Sequence, residues 1–210
     1  MDKSKEKIQK AYLSYVEEHN ERPGSVLLFA KSLKMEEADI YNFYGSWKSL
    51  EADIFLNFME SAIEALKGSK EFEEFTAREK ALSFFFTWIG KMQEHRSFVK
   101  FIHEQDATPF IGQGYLQNTK DTFVSFARKL IKAGIENNQI ADRWLVTRSY
   151  RQALWGMAAT IFNYWLGDGS ANFEKTDAFI EKGSNFFFDL IEPNALDSGF
   201  DFARYVIQGR

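Results

Sequence analysis

The chain has 210 residues, of which 45% are hydrophobic and 27% charged, so it is long enough to bury a core and is not expected to be disordered. It contains no cysteine, which excludes disulfides, thiolate catalysis and cysteine-based zinc sites. Its formal net charge of -4 gives no general attraction for nucleic acid, so any contact with DNA requires a local patch of positive charge.

The sequence predicts an all-α fold. Only three prolines interrupt the chain, and the segments between turn signals combine Ala, Leu, Glu and Lys with aromatic residues at helical spacing. Neither a strand-like alternation of useful length nor an internal repeat is present. The 22 phenylalanines exceed what helix formation explains, because Phe has only modest helix propensity. They therefore indicate packing, a cavity or an interface.

Three short helices are predicted at the N-terminus. Apolar residues at spacings of three and four place the first helix at residues 4–18. Ser25 occupies the N-cap position of a second short helix. A tight link at Lys34 and Met35 leads into a third helix at about 36–44. Three short helices with a brief turn between the last two predict a helix-turn-helix unit.

Longer helices follow this unit. After a break at Gly45 and Ser46, an uninterrupted helix is predicted from Trp47 to about Leu66. Further helices are predicted at about 76–94, 96–105, 115–137, 142–167 and 172–191. The tail at 197–210 has the pattern of one more short amphipathic helix. The expected fold is therefore a helical bundle of about nine helices.

Several N-terminal residues form a recognisable pattern, which consists of Ile8, Ala11, Ser25, Phe29-Ala30 and the string IYNFYGSWKSL at 40–50. The string is similar to the sequence Leu-Tyr-x-x-Phe-x-Ser-Lys-Glu-x-Leu of the TetR family of bacterial repressors. The chain thus resembles this family over its first 55 residues. The resemblance implies a helix-turn-helix DNA-binding domain at 1–48 and a helical ligand-binding and dimerisation domain at 49–210.

The resemblance also implies which side chains contact DNA. In the family, the positions of Tyr41 and Asn42 touch phosphates, as does a Lys whose place is taken here by Trp47. Lys48 follows immediately and offers a replacement cation. The candidate contacts to the DNA backbone are Ser25, Lys34, Tyr41, Asn42 and Lys48.

Three acidic residues stand at the start of the third helix, where the family usually has small, polar or basic ones: Glu36, Glu37 and Asp39. Phosphates dominate protein–DNA affinity, so these carboxylates disfavour DNA unless they accept hydrogen bonds from cytosine amino groups. Residues 1–50 carry eight basic and eight acidic side chains. The predicted DNA-binding domain at 1–48, called the head below, therefore has no excess of positive charge. Alternatively, the acidic residues stabilise the positive N-terminal end of their own helix.

A second group of cations lies at the start of the chain, namely Lys3, Lys5, Lys7 and Lys10. These lysines are able to contact phosphates in the manner of an N-terminal arm. The alternative is a solvated, flexible start of the chain, and the residues alone favour that interpretation.

Aromatic residues recur at helical spacing in the predicted C-terminal domain. The candidate ligand-binding residues are Phe85, Trp88, Phe123, Trp155 and Phe162. Bundle cores can enclose a small apolar ligand between such helices, and the resemblance implies an effector pocket there. A lining of Phe and Trp would select a hydrophobic molecule. The alternative is a plain hydrophobic core without a cavity.

No metal or cofactor is expected. His95, His103, Glu104 and Asp106 lie close together in sequence, but His103 and Asp106 are spaced i, i+3 without a second histidine in the same pattern, so they are more typical of surface polar residues. No nucleophile motif, phosphate loop or pair of catalytic carboxylates stands out, so an enzyme is not expected either.

The last long helix is predicted to contribute to a dimer. Three adjacent phenylalanines, Phe186 to Phe188, cover most of the circumference of a helix and cannot all face one core. With the helix that ends in YWLG, this resembles the surface through which TetR-like proteins form two-fold dimers. The candidate dimer residues are Trp165, Phe179, Phe186 and Phe187. The alternative is a monomer whose tail covers these rings.

Two functional hypotheses remain open. The first is a cytoplasmic one-component regulator that binds operator DNA as a homodimer, with an affinity modulated by a small hydrophobic effector. The second is a lipid- or isoprenoid-binding protein on the same scaffold that has lost DNA binding. Insertion into a membrane is not expected, because eighteen apolar residues nowhere run together.

Overall fold

The computed structural model describes residues 3–68, 70–105, 116–143 and 146–194, together with 199 and 205–206. These residues form helices and turns, and none of them lies in a β-strand, which confirms the predicted all-α class. The helices are α1 (Lys3–His19), α2 (Val26–Ser32), α3 (Glu37–Tyr41), α4 (Trp47–Lys67), α5 (Lys70–Glu74), α6 (Ala77–Gln93), α7 (Arg96–Gln105), α8 (Gln117–Glu136), α9 (Thr147–Gly167) and α10 (Glu174–Ile191).

Most predicted helices lie within a few residues of their expected bounds, with two differences. The short helix α5 was not predicted, and α9 begins at Thr147 rather than at 142. Asp106, which follows His103 and Glu104 in sequence, lies outside the described residues, as does most of the predicted tail helix.

The chain divides into two compact units. The first contains Met1–Ser61 and Gly90–Thr119, and the second contains Ala62–Ile89 and Lys120–Arg210. The first unit therefore extends well beyond the predicted domain boundary at residue 48. Its core explains the extension, because the ring of Phe98 on α7 lies 6.3 Å from that of Tyr12 on α1.

Tyr12 is the centre of the first unit. Its ring is fully buried and stacks on Trp47, with 5.1 Å between the centroids. The edge of Phe29 on α2 packs against both of these rings, at centroid distances of 6.1 and 5.4 Å. Helices α1, α2 and α4 thus share one aromatic core.

A buried ion pair fixes the turn after α1. The carboxylate of Glu51 on α4 has no exposed surface, and it accepts two hydrogen bonds from the Arg22 guanidinium at 2.7 and 3.0 Å. The Tyr12 hydroxyl donates a third bond to Glu51 at 2.6 Å. Burial, followed by the proximity of Glu51, raises the pKa of Tyr12 well above its usual range, so the phenol remains a donor. Both oxygens of the buried carboxylate are thereby hydrogen-bonded.

A second polar network lies beside this pair. The carboxylate of Asp53 accepts hydrogen bonds from the Tyr44 hydroxyl at 2.7 Å and from Lys5 at 3.0 Å. The buried amide of Gln9 on α1 also donates to Tyr44 and Asp53, and it accepts from Asn57 at 2.5 Å. This network connects α1 to the end of the head and to α4, which positions the helix-turn-helix unit.

The corner between α9 and α10 in the second unit depends on Asp168. Its carboxylate accepts bonds from the hydroxyl and backbone N–H of Ser170 at 2.7 and 2.8 Å. It also accepts from the hydroxyl and N–H of Thr176 at 2.7 and 2.9 Å. The Ser170 hydroxyl and then the Thr176 hydroxyl hold the pKa of Asp168 well below its usual range. The carboxylate thus anchors the first turn of α10.

The late start of α9 has a physical reason. The N–H of Ala141 donates to the carbonyl of Ile191 at 2.8 Å, and Arg143 donates to the carbonyls of Leu190 and Glu192. The backbone N–H of Ala141 and the side chain of Arg143 thus hold the segment before α9 against the C-terminal end of α10, where they satisfy open carbonyls.

Replacing Glu51 with Gln should destabilise the first unit. Arg22 would lose its anionic partner, and we expect the free energy of unfolding to fall by about 2–3 kcal/mol, less than for a fully buried pair because Arg22 is partly exposed. The control is Glu60→Gln, which changes an exposed residue of the same helix. Urea unfolding measures both; equal stability of the two variants would contradict the role of the pair.

Replacing Asp168 with Asn should destabilise the corner in a pH-dependent way. A carboxylate whose pKa is lowered by folding contributes its full stability above the ordinary Asp value of about 3.9, and the contribution is lost as the pH falls below it. The melting temperature of the variant should therefore lie furthest below that of the wild type at neutral pH. The gap should narrow below about pH 4.

Asp177→Asn provides the control, since Asp177 is exposed in the first turn of α10. A gap between wild type and Asp168→Asn that stays constant from pH 7 to pH 3 would show that the carboxylate charge is unimportant.

Candidate nucleic-acid interface and effector region

The head has the geometry of a helix-turn-helix unit. Helices α2 and α3 pack against each other, and the Ser25 hydroxyl caps α2 by accepting from the N–H of Leu28 at 3.3 Å. Lys34 forms the turn with a φ of 57°, in the left-handed region that favours glycine. Its N–H donates to the carbonyl of Lys31 at 3.0 Å, which closes the turn despite the strained backbone.

The predicted DNA contacts all lie on the first unit. Tyr41 is 51% exposed, and Lys34, Asn42 and Lys48 are exposed as well, whereas Ser25 is half-buried. Asn42 follows the last residue of α3. These side chains are accessible to a ligand as large as DNA, and their contact with DNA stays a prediction.

The acidic residues of α3 act partly on their own helix. The carboxylate of Asp39 accepts a hydrogen bond from the N–H of Glu36 at 2.9 Å, at the N-terminal end of the helix. This bond satisfies one of the backbone donors that a helix start leaves open, and the negative charge also suits the helix dipole. Asp39 therefore has a structural role that is independent of DNA.

Trp47 is half-buried, and its ring packs against the aromatic core of the first unit. Besides its contacts with Tyr12 and Phe29, its indole N–H donates to the carbonyl of Pro23 at 3.1 Å. Lys48 is exposed one position later. The cation is thus displaced by one residue while the aromatic ring stabilises the head.

The N-terminal lysines lie on α1 and do not form an arm. Lys5 pairs with Asp53 at 2.8 Å, Lys7 donates to the carbonyl of Leu33 at 2.6 Å, and Lys10 pairs with Glu6 at 2.8 Å. The segment is therefore a helix rather than the flexible start that the residues alone favoured, and Lys5, Lys7 and Lys10 have partners within the chain.

The five predicted ligand-binding residues lie in the second unit and are all buried. Phe123 lies 6.3 Å from Phe85 and 5.7 Å from Trp155, measured between ring centroids. Trp88 stacks on Phe162 at 6.3 Å. The sequence pattern thus identified rings that meet in one cluster. Binding of an effector among these rings stays a prediction.

The predicted dimer residues occupy different environments. Phe186 is 66% exposed and Phe187 is half-buried, whereas the neighbouring Phe188 is buried. Phe179 stacks on Tyr164 at 4.4 Å. Trp165, however, is fully buried and packs near Phe162 and Phe173 within the chain. The predicted role of Trp165 in the dimer is therefore wrong, because its buried ring has no area available to a second copy.

Sequence reasoning missed part of this surface. Tyr164 and Leu190 are large apolar residues with 40% and 52% exposure. Gly156 on α9 and Gly183 on α10 lie inside helices, where glycine costs about 1 kcal/mol relative to alanine. A Cβ atom at either position would meet open space within the chain, so internal packing does not require glycine there. Mid-helix glycine was the signal that sequence reasoning left unused.

Other site types receive no support from the described residues. Nowhere among them do three or more His, Asp or Glu side chains come together as a possible metal site. No helix in the described part of the chain is long and apolar enough to cross a membrane. His95 instead pairs with Glu17 at 2.9 Å and stacks on Phe58.

Solved structures share this fold. A protein assigned to the tetR family of transcription regulators, from Shewanella sp. PV-4, matches 91% of this chain and 99% of its own, with a TM-score of 0.59 and 13% identity. A bacterial regulatory protein in the tetR family, from Rhodococcus RHA1, matches 92% of this chain and 100% of its own, with a TM-score of 0.53 and 14% identity. These similarities define an all-helical protein of the TetR fold. A search among curated proteins finds no match.

The family itself follows from the sequence of the second half. Residues 80–206 match the family described as tetracyclin repressor-like, C-terminal domain, and this match covers more than half of the 210 residues. The chain therefore belongs to the TetR family, as the resemblance of its head predicted.

Proposed function

We propose that this protein is a transcriptional regulator that binds operator DNA as a homodimer and responds to a small hydrophobic effector. The observation that carries the proposal is the head. Its helix-turn-helix keeps the left-handed turn at Lys34, the cap at Ser25 and the exposed pair Tyr41 and Asn42. Family membership supports the same function.

The acidic start of α3 is compatible with DNA binding. The Asp39 carboxylate accepts a hydrogen bond from the backbone N–H of Glu36, so its negative charge offsets the partial positive charge at the N-terminal end of α3. Lys34 before the helix and Lys48 after it are exposed. In this proposal the two lysines provide positive charge on either side of α3. Their contacts with DNA phosphates fix the position of α3 along the duplex.

Dimerisation is the second element of the proposal. Operator reading by a helix-turn-helix dimer requires two heads at successive major grooves, about 34 Å apart. In this proposal the dimer surface lies on α9 and α10, which pack against each other, and consists of the exposed rings of Tyr164 and Phe186, the half-buried Phe179, and the glycines Gly156 and Gly183. Glycine allows two helix backbones to approach closely, and the same surface on a second copy completes an isologous interface.

The effector is the third element. A hydrophobic molecule that separates Phe123 from Phe85 and Trp155 would bind one packing of the second unit better than another. Helix α4 contributes residues to both units and provides the connection through which such a change reaches the head. Binding of DNA and effector would then be coupled, because each favours one of two states.

A lipid- or isoprenoid-binding protein without DNA contact is the second candidate. Leu27 and Leu28 on α2 are 40% and 68% exposed beside the acidic helix α3, and apolar and acidic surface both disfavour a phosphate backbone. Under this hypothesis an apolar ligand occupies the ring cluster and the head has another role.

DNA binding is tested with the purified protein and fragmented DNA from its source genome. We expect enrichment of a palindromic site, with an affinity that falls steeply as salt increases. Lys34→Gln and Lys48→Gln should each weaken binding to all fragments. Each should also reduce, by about one, the slope of the logarithm of the binding constant against the logarithm of the salt concentration. Lys175→Gln, an exposed change on α10, is the control. If no fragment is enriched even at low salt, the regulator proposal fails and a copurifying apolar ligand supports the second candidate.

The dimer surface is tested by Gly156→Leu. A leucine there fills open space in the isolated chain but obstructs a second helix, so we expect the dissociation constant of the dimer to increase at least about tenfold while the helical content of the chain is unchanged. Sedimentation velocity over a range of concentrations measures the change. Gly90→Leu is the matched control, because Gly90 also lies within a helix and a Cβ atom added there would meet nothing within 4 Å. Equal dissociation of both variants would place the interface elsewhere.

A further inference from the structure

A groove on the second unit lies between α8 and the start of α9. Its volume is about 300 Å³, at the lower end of the range for small-molecule sites. Two isoleucines of α8 line it, the buried Ile131 and the half-buried Ile135. The groove is separate from the aromatic cluster, since none of the five rings predicted to bind ligand lines it.

Four cations surround this apolar lining, namely Arg128, Lys132, Arg148 and Arg151. Among the described residues that line the groove, Glu136 alone carries a carboxylate, and it lies 3.7 Å from Lys132. Within the described part of the chain, the three arginines form no ion pair. A protein with a net charge of -4 thus concentrates unpaired positive charge at one apolar site.

The position of two arginines increases this imbalance. Arg148 lies in the first turn of α9, where the helix dipole favours an anion over a cation and no acidic residue is present. The Nε atom of Arg151 is buried, and no hydrogen-bond acceptor reaches it among the described residues. A buried donor without an acceptor costs free energy that a bound acceptor would recover. Both features therefore favour an anion in the groove.

We propose that this groove binds a small organic acid, with its carboxylate on the arginines and its apolar body on Ile131 and Ile135. Guanidinium groups bind carboxylates through paired, charge-assisted hydrogen bonds, which explains the use of arginine. The volume suits a medium-chain or aromatic acid free in solution. The site is independent of DNA binding, so it stands or falls separately from the proposed regulator function.

Calorimetric titration of the full chain with octanoate tests the proposal. Octanol and octylamine have the same alkyl chain with a neutral or positive head, and acetate has the carboxylate alone. We expect saturable binding of octanoate at one site and at least about tenfold weaker binding of the other three. Octanoate should also raise the melting temperature.

Two variants locate the site. Arg148→Gln changes an exposed side chain, and Arg151→Gln removes the buried Nε donor; each should weaken octanoate binding about tenfold or more. The control is Lys129→Gln, an exposed cation of α8 that does not line the groove, and it should leave the affinity unchanged.

Three results would overturn the proposal. Octanol binding as tightly as octanoate would show that the charge is irrelevant. Equal affinities of Lys129→Gln and both arginine variants would place the acid elsewhere. Binding of octanoate only as an anionic vesicle or micelle surface, without a one-to-one complex of the monomeric acid, would assign the cations to a membrane contact instead.

Discussion

The buried carboxylate of Glu51 is the constraint on which the head depends. It holds the Arg22 guanidinium and the Tyr12 hydroxyl, and through them it joins α4 to α1 and to the turn that precedes α2. A charge without exposed surface is tolerated only when its oxygens are fully bonded, so this arrangement permits little variation in the positions of the three elements. The turn between α2 and α3 at Lys34 follows directly on the helix that this arrangement positions.

The acidic residues at the start of α3 affect both DNA binding and the stability of their own helix. Glu36 and Asp39 look unfavourable for DNA when they are judged by charge alone. In the fold, the Asp39 carboxylate bonds to the first open N–H group of its own helix, a five-residue segment that has few other means of stabilisation. The proposed regulator function therefore requires only that Lys34 and Lys48 compensate for the remaining negative charge.

Local sequence patterns were sufficient for the helices but not for the surfaces. The cap at Ser25, the turn at Lys34 and the ring cluster around Phe123 follow from spacing and residue type, which act over a few positions. The burial of Trp165 could not be predicted, because periodicity does not say which apolar face meets the rest of the chain. Trp47 and the groove arginines depend likewise on residues distant in sequence.

The central claim is that two chains of this TetR-family protein bind one DNA site through their heads. The most direct test is the mass of the complex with an enriched genomic fragment, measured by sedimentation equilibrium at low salt. The account predicts two chains, or a multiple of two, on each fragment, with half-sites about one helical turn apart. A complex with a single chain per fragment, or no complex at all, would contradict it.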